Sequence, residues 1–131
     1  MHLKNLPRSD KEWKEILSKN EFQILRKKGT ETPFSGKLLH NKEKGIYICA
    51  GCGNPLFRSD TKFDSGSGWP SFWDVISKDN ISLKNDDSIG MNRIEVLCAR
   101  CGGHLGHVFD DGPKPTKKRY CINSTSLNFK K

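Results

Sequence analysis

The rhythm of hydrophobic and polar residues changes once along this chain. Over residues 9–28 the apolar positions recur at helical spacing, with Trp13, Ile16 and Leu17 at i, i+3 and i+4 on one stripe. Ser9 or Asp10 can cap the start, because a short side-chain oxygen accepts one of the first unpaired N–H groups. Asn20 is expected to interrupt the pattern, and Phe22 and Leu25 form a second short helical face that stops at Gly29. Thr32-Pro-Phe-Ser-Gly36 reads as an extended or turning linker, since proline disfavours helix in the residue before it.

From Ile46 onward the apolar runs are short and broken by Gly, Asn and Asp, which predicts strands. Ile46-Tyr-Ile48 leads straight into Cys49, and Ser71–Ser77 and Ile81–Leu83 flank a turn at Lys78-Asp-Asn80. In Met91–Cys98, alternation puts Ile94, Val96 and Cys98 on one face, and Arg119–Phe129 completes the set. A doubled Cys-x-x-Cys is the one repeat. The pattern predicts a mainly β protein: a helical N-terminal arm (residues 1–36) laid over a small antiparallel β domain (37–131), one domain in all.

Composition changes this picture in one respect. Only 34% of the residues are hydrophobic and the mean hydropathy is −0.70, so the core is thin and a structural metal would make up the shortfall. The net charge of +8 could favour acidic partners, but the lysines are dispersed, which fits solubility better than a nucleic-acid surface. Met1–Pro7 holds no apolar stretch of the signal-peptide kind, and no run is long enough to span a bilayer. A cytoplasmic protein with no membrane or nucleic-acid partner is the expectation.

In a reducing compartment Cys-x-x-Cys pairs read as metal ligands before disulfides. Cys49-Ala-Gly-Cys52 and Cys98-Ala-Arg-Cys101 are separated by 45 residues, as in a zinc ribbon. Four thiolates fill a tetrahedral zinc and leave no position for water, so the metal is expected to be structural. Two disulfides, a redox dithiol, or recruitment of His104 or His107 to the metal are the alternatives.

The fifth cysteine, Cys121, stands apart in Arg119-Tyr-Cys-Ile-Asn123. If this is a strand, Arg119, Cys121 and Asn123 project from one face, where the guanidinium would favour the thiolate and the amide would lie beside it. A free cysteine can equally be a small buried hydrophobe. Gly103-His-Leu-Gly-His107 offers two imidazoles, with Gly106 able to bend the backbone so that both reach one pocket. Asp110 and Asp111 follow closely and could orient an imidazole or a water. Gly66-Ser-Gly-Trp-Pro-Ser-Phe72 makes a loop that holds an indole, suited either to a small apolar group or to core packing.

Together these segments resemble the methionine-R-sulfoxide reductases of the B type. The matching stretches are Thr30-Glu-Thr-Pro-Phe-Ser-Gly36, Cys49-Ala-Gly-Cys52, Lys62-Phe-Asp-Ser-Gly66, Gly68-Trp-Pro-Ser-Phe72, His104-Leu-Gly-His-Val-Phe109, Asp111-Gly-Pro113 and Arg119-Tyr-Cys-Ile-Asn123, in family order. The resemblance implies two small antiparallel sheets stapled by a four-cysteine zinc site (Cys49, Cys52, Cys98, Cys101), with the metal away from the substrate pocket. It implies that Cys121 attacks the sulfoxide sulfur while His104 and His107 hold or protonate its oxygen, directly or through water. Trp69 and Phe109 would line the substrate pocket, Trp69 against the methyl group. Arg119 would support the thiolate, and Asn123 and Asp111 would fix the network around it. Oxidised proteins or methionine-R-sulfoxide would be the substrate, a thioredoxin-like protein or external thiol the reductant, and the monomer the working unit. Many family members carry a resolving cysteine where this chain has Ser67, so no internal disulfide is expected. The readings from other classes are a zinc-ribbon nucleic-acid module and a binding domain that has lost its chemistry.

Overall fold

In a computed structural model the chain is described over residues 6–88 and 90–131; Met1–Asn5, most of the segment read above for a targeting signal, lie outside. The arm forms two helices, α1 (Asp10–Ile16) and α2 (Lys19–Leu25). Ser9 caps α1 as expected, its hydroxyl accepting the Glu12 N–H. The break falls at Leu17 and Ser18 rather than at Asn20. Ser18 accepts the Glu21 N–H while the Glu21 carboxylate accepts the Ser18 N–H, a capping box that fixes the second start and leaves Asn20 inside its first turn. The helix also stops before Gly29: it ends at Leu25, and Lys28 takes a left-handed φ of 59°. The stripe is narrower than the periodicity suggested, for Trp13, Leu17, Phe22 and Leu25 are buried whereas Ile16 is exposed.

Nine strands follow among the described residues: β1 (Ile46–Cys49), β2 (Pro55–Arg58), β3 (Lys62–Phe63), β4 (Ser71–Phe72), β5 (Ile81–Asp86), β6 (Arg93–Cys98), β7 (His104–Phe109), β8 (Arg119–Ile122) and β9 (Leu127–Lys130). They build two antiparallel sheets, β2-β1-β9 and β3-β4-β8-β7-β6-β5. The stretch 71–77 keeps only two strand residues, because the Trp73 N–H turns to the Thr61 carbonyl and the Ile76 N–H to Leu56 of β2, in the other sheet. Segment 119–129 is two strands in different sheets, joined by a 3-10 turn at Ser124–Ser126 whose Ser126 hydroxyl donates to the His104 carbonyl. The core lies where the sheets meet: Phe57 of the smaller sheet stacks on Phe72 of the larger at 4.3 Å, and Tyr47 meets Phe72 edge-on. Such pairs add about 0.5–1.5 kcal/mol each beyond their buried area.

The arm closes over both functional regions. Trp13 and Leu25 rest against Gly51 and Gly103 in the cysteine turns, and the Arg26 guanidinium donates to the Cys101 carbonyl at 2.8 Å. Further on, residues 30–36 run along the loop that carries Trp69. Phe34 has a φ of 66°, a conformation that costs a bulky residue about 1–3 kcal/mol, and its ring is largely exposed.

Candidate active site

The two Cys-x-x-Cys turns meet. All four Sγ atoms lie within 4.8 Å of one another, with Cys49 and Cys101 at 3.7 Å and Cys52 and Cys98 at 3.5 Å. Tetrahedral zinc with bonds of about 2.3 Å sets its sulfurs about 3.8 Å apart, so the donor set fits that ion. Asn54 Nδ2 and the Gly103 N–H donate to Cys98 Sγ and Cys101 Sγ at 3.5 and 3.4 Å, contacts that stabilise thiolates. Neither His104 nor His107 belongs to this cluster.

Cys121 sits mid-way along β8, directly opposite His107 on β7 and Ser71 on β4. In a regular strand His104 and His107, three apart, would face opposite ways. They share a face because β7 carries an extra residue: His104 pairs with Leu97 and Gly106 with Val96, leaving Leu105 as a bulge into the core. The ring centroids then lie 5.5 Å apart. Gly106 serves differently from the bend anticipated for it: a Cβ there would stand 2.0 Å from the Cys121 carbonyl oxygen, so only glycine lets the strands approach. Asn123 locks the bulge, its backbone N–H and Nδ2 both donating to the Leu105 carbonyl while Oδ1 accepts the Glu31 N–H.

Each imidazole is held by a buried carboxylate. His104 Nδ1 lies 2.6 Å from Glu95 Oε2, and His107 Nε2 lies 2.7 Å from Asp86 Oδ2. Lys28, at the end of the arm, bridges both acids at 3.0 and 3.4 Å, and Arg93 reaches Asp86 at 3.2 Å. The Ser88 hydroxyl, then His107, then Lys28 hold the Asp86 carboxyl well below the usual carboxylate range. Burial pushes His104 down, opposed by Glu95. The other nitrogen of each ring makes no hydrogen bond to a described residue and remains for a ligand. Asp110 and Asp111 do not orient the imidazoles as expected. They pair across the β7–β8 connection, Asp110 with Lys118 and Asp111 bidentately with Arg119 at 2.8 and 3.1 Å.

His104, His107 and Arg93 line a cavity of about 320 Å³ with Cys121 in its wall and Trp69, Phe109, Arg119 and Ser67 around it. Trp69 is anchored by Nε1–H donating to the Glu31 carbonyl at 3.1 Å, and the Arg119 guanidinium lies 4.3 Å from the Phe109 ring. Residues 17–131 match the SelR domain. The chain is 65% identical over 130 residues to a peptide methionine sulfoxide reductase MsrB of Methanosarcina barkeri, covering 99% of this chain and 92% of that protein. It is 56% identical to the Leptospira interrogans protein of the same name, over 95% of each chain. A third relative, the mouse mitochondrial methionine-R-sulfoxide reductase B3, is 55% identical over 92% of this chain and 48% of its own length. The chain belongs to the methionine-R-sulfoxide reductase B family. It is thereby a member of a family of oxidoreductases.

Within this family member two features depart from the reading of the sequence. Arg119 and the Ser67 hydroxyl do draw the Cys121 thiol towards ionisation, but burial outweighs them and the thiol is pushed up instead. Ser67 Oγ lies 3.8 Å from Cys121 Sγ, at the end of a hydroxyl chain through Ser65 to Ser71. The reductase-family site also uses Lys28, Glu31, Asp86, Arg93 and Glu95, which the sequence reading did not single out. A signal existed for two of them. Arg93 and Glu95 alternate on the face of β6 opposite Ile94 and Val96, a charged pair where a covered strand would be apolar.

Proposed function

We propose that this chain reduces the R epimer of methionine sulfoxide in oxidised proteins to methionine. Cys121 attacks the sulfoxide sulfur; the sulfur–oxygen bond of the substrate breaks, and the oxygen ends on Cys121 as a sulfenic acid carrying the former thiol proton. One thiol and one sulfoxide thus become one sulfenic acid and one thioether. The observation that supports this best is the pairing of Cys121 with His107 across β7 and β8, with His104 brought to the same face by the Leu105 bulge.

A sulfoxide sulfur is a poor electrophile until its oxygen is hydrogen-bonded or protonated, and a positioned general acid is worth about 10²–10⁴-fold in rate. His104 and His107 hold that oxygen through a water, which donates to it and is itself accepted by the ring nitrogens their carboxylates leave free. The proton that leaves Cys121 as the attacking thiolate forms is the one that the oxygen receives. Trp69 and Phe109 enclose the methyl side of the substrate. Arg119, backed by Asp111, stabilises the sulfur as it becomes anionic, and Asn123 keeps β7 and β8 in register.

Zinc held by Cys49, Cys52, Cys98 and Cys101 would be structural, since four thiolates leave no open coordination position. With Ser67 beside Cys121, the sulfenic acid is reduced directly by an external thiol or a thioredoxin-like protein. Residues 1–131 act as one domain and as a monomer, in the cytoplasm, where thiol ligands stay reduced. Separated R and S sulfoxide epimers, assayed with wild type and Cys121→Ser, test the proposal. Turnover of the R epimer alone, abolished in Cys121→Ser, is expected; turnover of the S epimer, or survival of activity in the variant, would refute it.

A further inference from the structure

Residues 32–36 contribute no group to the chemistry proposed above, yet their backbone is pinned to the loop that carries Trp69. The Phe34 N–H donates to the Gly68 carbonyl at 2.7 Å, and the Ser35 N–H to the Thr32 carbonyl at 3.2 Å. A Cβ on Gly68 would stand 2.8 Å from the Pro33 side chain and 3.0 Å from the Phe34 ring, so the two segments touch as closely as a glycine permits. Phe34 itself sits at a φ of 66°, where a β-carbon is crowded. Burial of the ring would ordinarily offset that, but the residue is 66% exposed. Folding alone does not reward this placement of an aromatic side chain.

Its position suggests what does. Gly68 lies between Ser67 and Trp69, which both line the cavity over Cys121, and Thr30 of the same arm segment lines it too. Phe34 therefore packs against the backbone between two residues of the cavity wall. The cavity, at about 320 Å³, is at the lower end of ligand sites, so a polypeptide substrate extends beyond it.

We infer that Phe34 is a substrate-selecting contact, receiving an apolar side chain next to the oxidised methionine, so that polypeptide substrates with apolar neighbours are preferred over those with polar neighbours. The inference rests on the sulfoxide reading of the cavity.

The test uses the full chain as wild type, Phe34→Asn and Phe34→Tyr. Asparagine tolerates the left-handed backbone, so the substitution removes the ring and keeps the turn. Three resolved R-sulfoxide substrates are compared: N-acetylmethionine amide, a blocked peptide with leucine on both sides of the sulfoxide, and the same peptide with serine on both sides. Phe34→Asn should lower kcat/KM for the leucine-flanked peptide about tenfold, mainly through KM, and leave the other two within about twofold. Phe34→Tyr should restore it. Equal loss on all three substrates, or no loss on the leucine-flanked peptide, would overturn the inference. Wild-type turnover of N-acetylmethionine amide sulfoxide reports separately on the sulfoxide reading; its absence would sink that reading and this inference with it.

Discussion

Lys28 Nζ lies 3.0 Å from Asp86 Oδ1, which ties the end of the helical arm to the outermost strand of the larger sheet. The same ammonium lies 3.4 Å from Glu95, so one cation serves two buried carboxylates, and each carboxylate holds one imidazole. The arm is thus part of the site's electrostatics as well as its cover. The Asp86 and Glu95 contacts also push Lys28 up, keeping it charged throughout the neutral range.

Replacing Lys28 by methionine should leave both acids short of positive charge and loosen the two rings. We expect kcat/KM to fall about ten- to a hundredfold, the scale seen when a group orienting a functional imidazole is lost. Lys28 is partly exposed, so the cost in stability should be only about 1–2 kcal/mol by urea unfolding. Lys28→Arg should recover most of the activity. Wild-type kcat/KM in the methionine variant would show that the acids hold the imidazoles unaided.

The pH dependence of Cys121 alkylation follows from its surroundings. Burial raises the thiol above its ordinary 9.0, while the Ser67 hydroxyl and Arg119 act in the opposite sense. Iodoacetamide attacks through the thiolate, so the rate at Cys121, followed by peptide mass, should climb with pH and reach half its plateau above 9.0. Ser67→Ala and Arg119→Met each remove a lowering influence and should move that midpoint further up, slowing alkylation at neutral pH. A wild-type midpoint below 9.0 would mean that the guanidinium outweighs burial.

Ser67 occupies the place from which a second thiol would reach the nucleophile, 3.8 Å from Cys121 Sγ. Wild type after one turnover should carry a sulfenic acid and no internal disulfide while zinc stays bound. Ser67→Cys should instead give a disulfide between the introduced thiol and Cys121, seen by intact mass as the loss of two hydrogens. An internal disulfide in wild-type protein would contradict direct reduction by an outside thiol.

Removing one metal ligand should act on the whole fold. Structural zinc contributes about 10–16 kcal/mol in small zinc-built domains, comparable with or above the entire stability of a domain of this size. Cys49→Ser should release the metal and abolish the cooperative melt, measured by metal content and circular dichroism. Cys121→Ser should keep both, since Cys121 is outside the four-sulfur cluster.

How much of this is legible in the sequence divides along the chain. The Cys-x-x-Cys spacing, the isolated Cys121 and the paired histidines are short-range patterns, and their chemistry follows from residue type. The helix caps are nearly as readable, and only the competing capping box at Ser18 displaces the break. Asp110 and Asp111 mislead because nearness in sequence is not nearness in space; the β7–β8 register gives them Lys118 and Arg119 instead. The residues that hold the imidazoles come from β5, β6 and the arm, and no local pattern links them.

What the chain's letters determined unaided was the donor set for a metal, the spare thiol, the presence of proton-transferring side chains and a mainly β fold with a helical arm. Such properties reside in individual side chains and short spacings. What only the folded molecule decided was which carboxylate meets which ring, that a one-residue bulge turns His104 to the side of His107, and that burial outweighs Arg119 in pushing the Cys121 thiol up. Each of these depends on strand register and on exclusion of water, which arise when distant segments pack together.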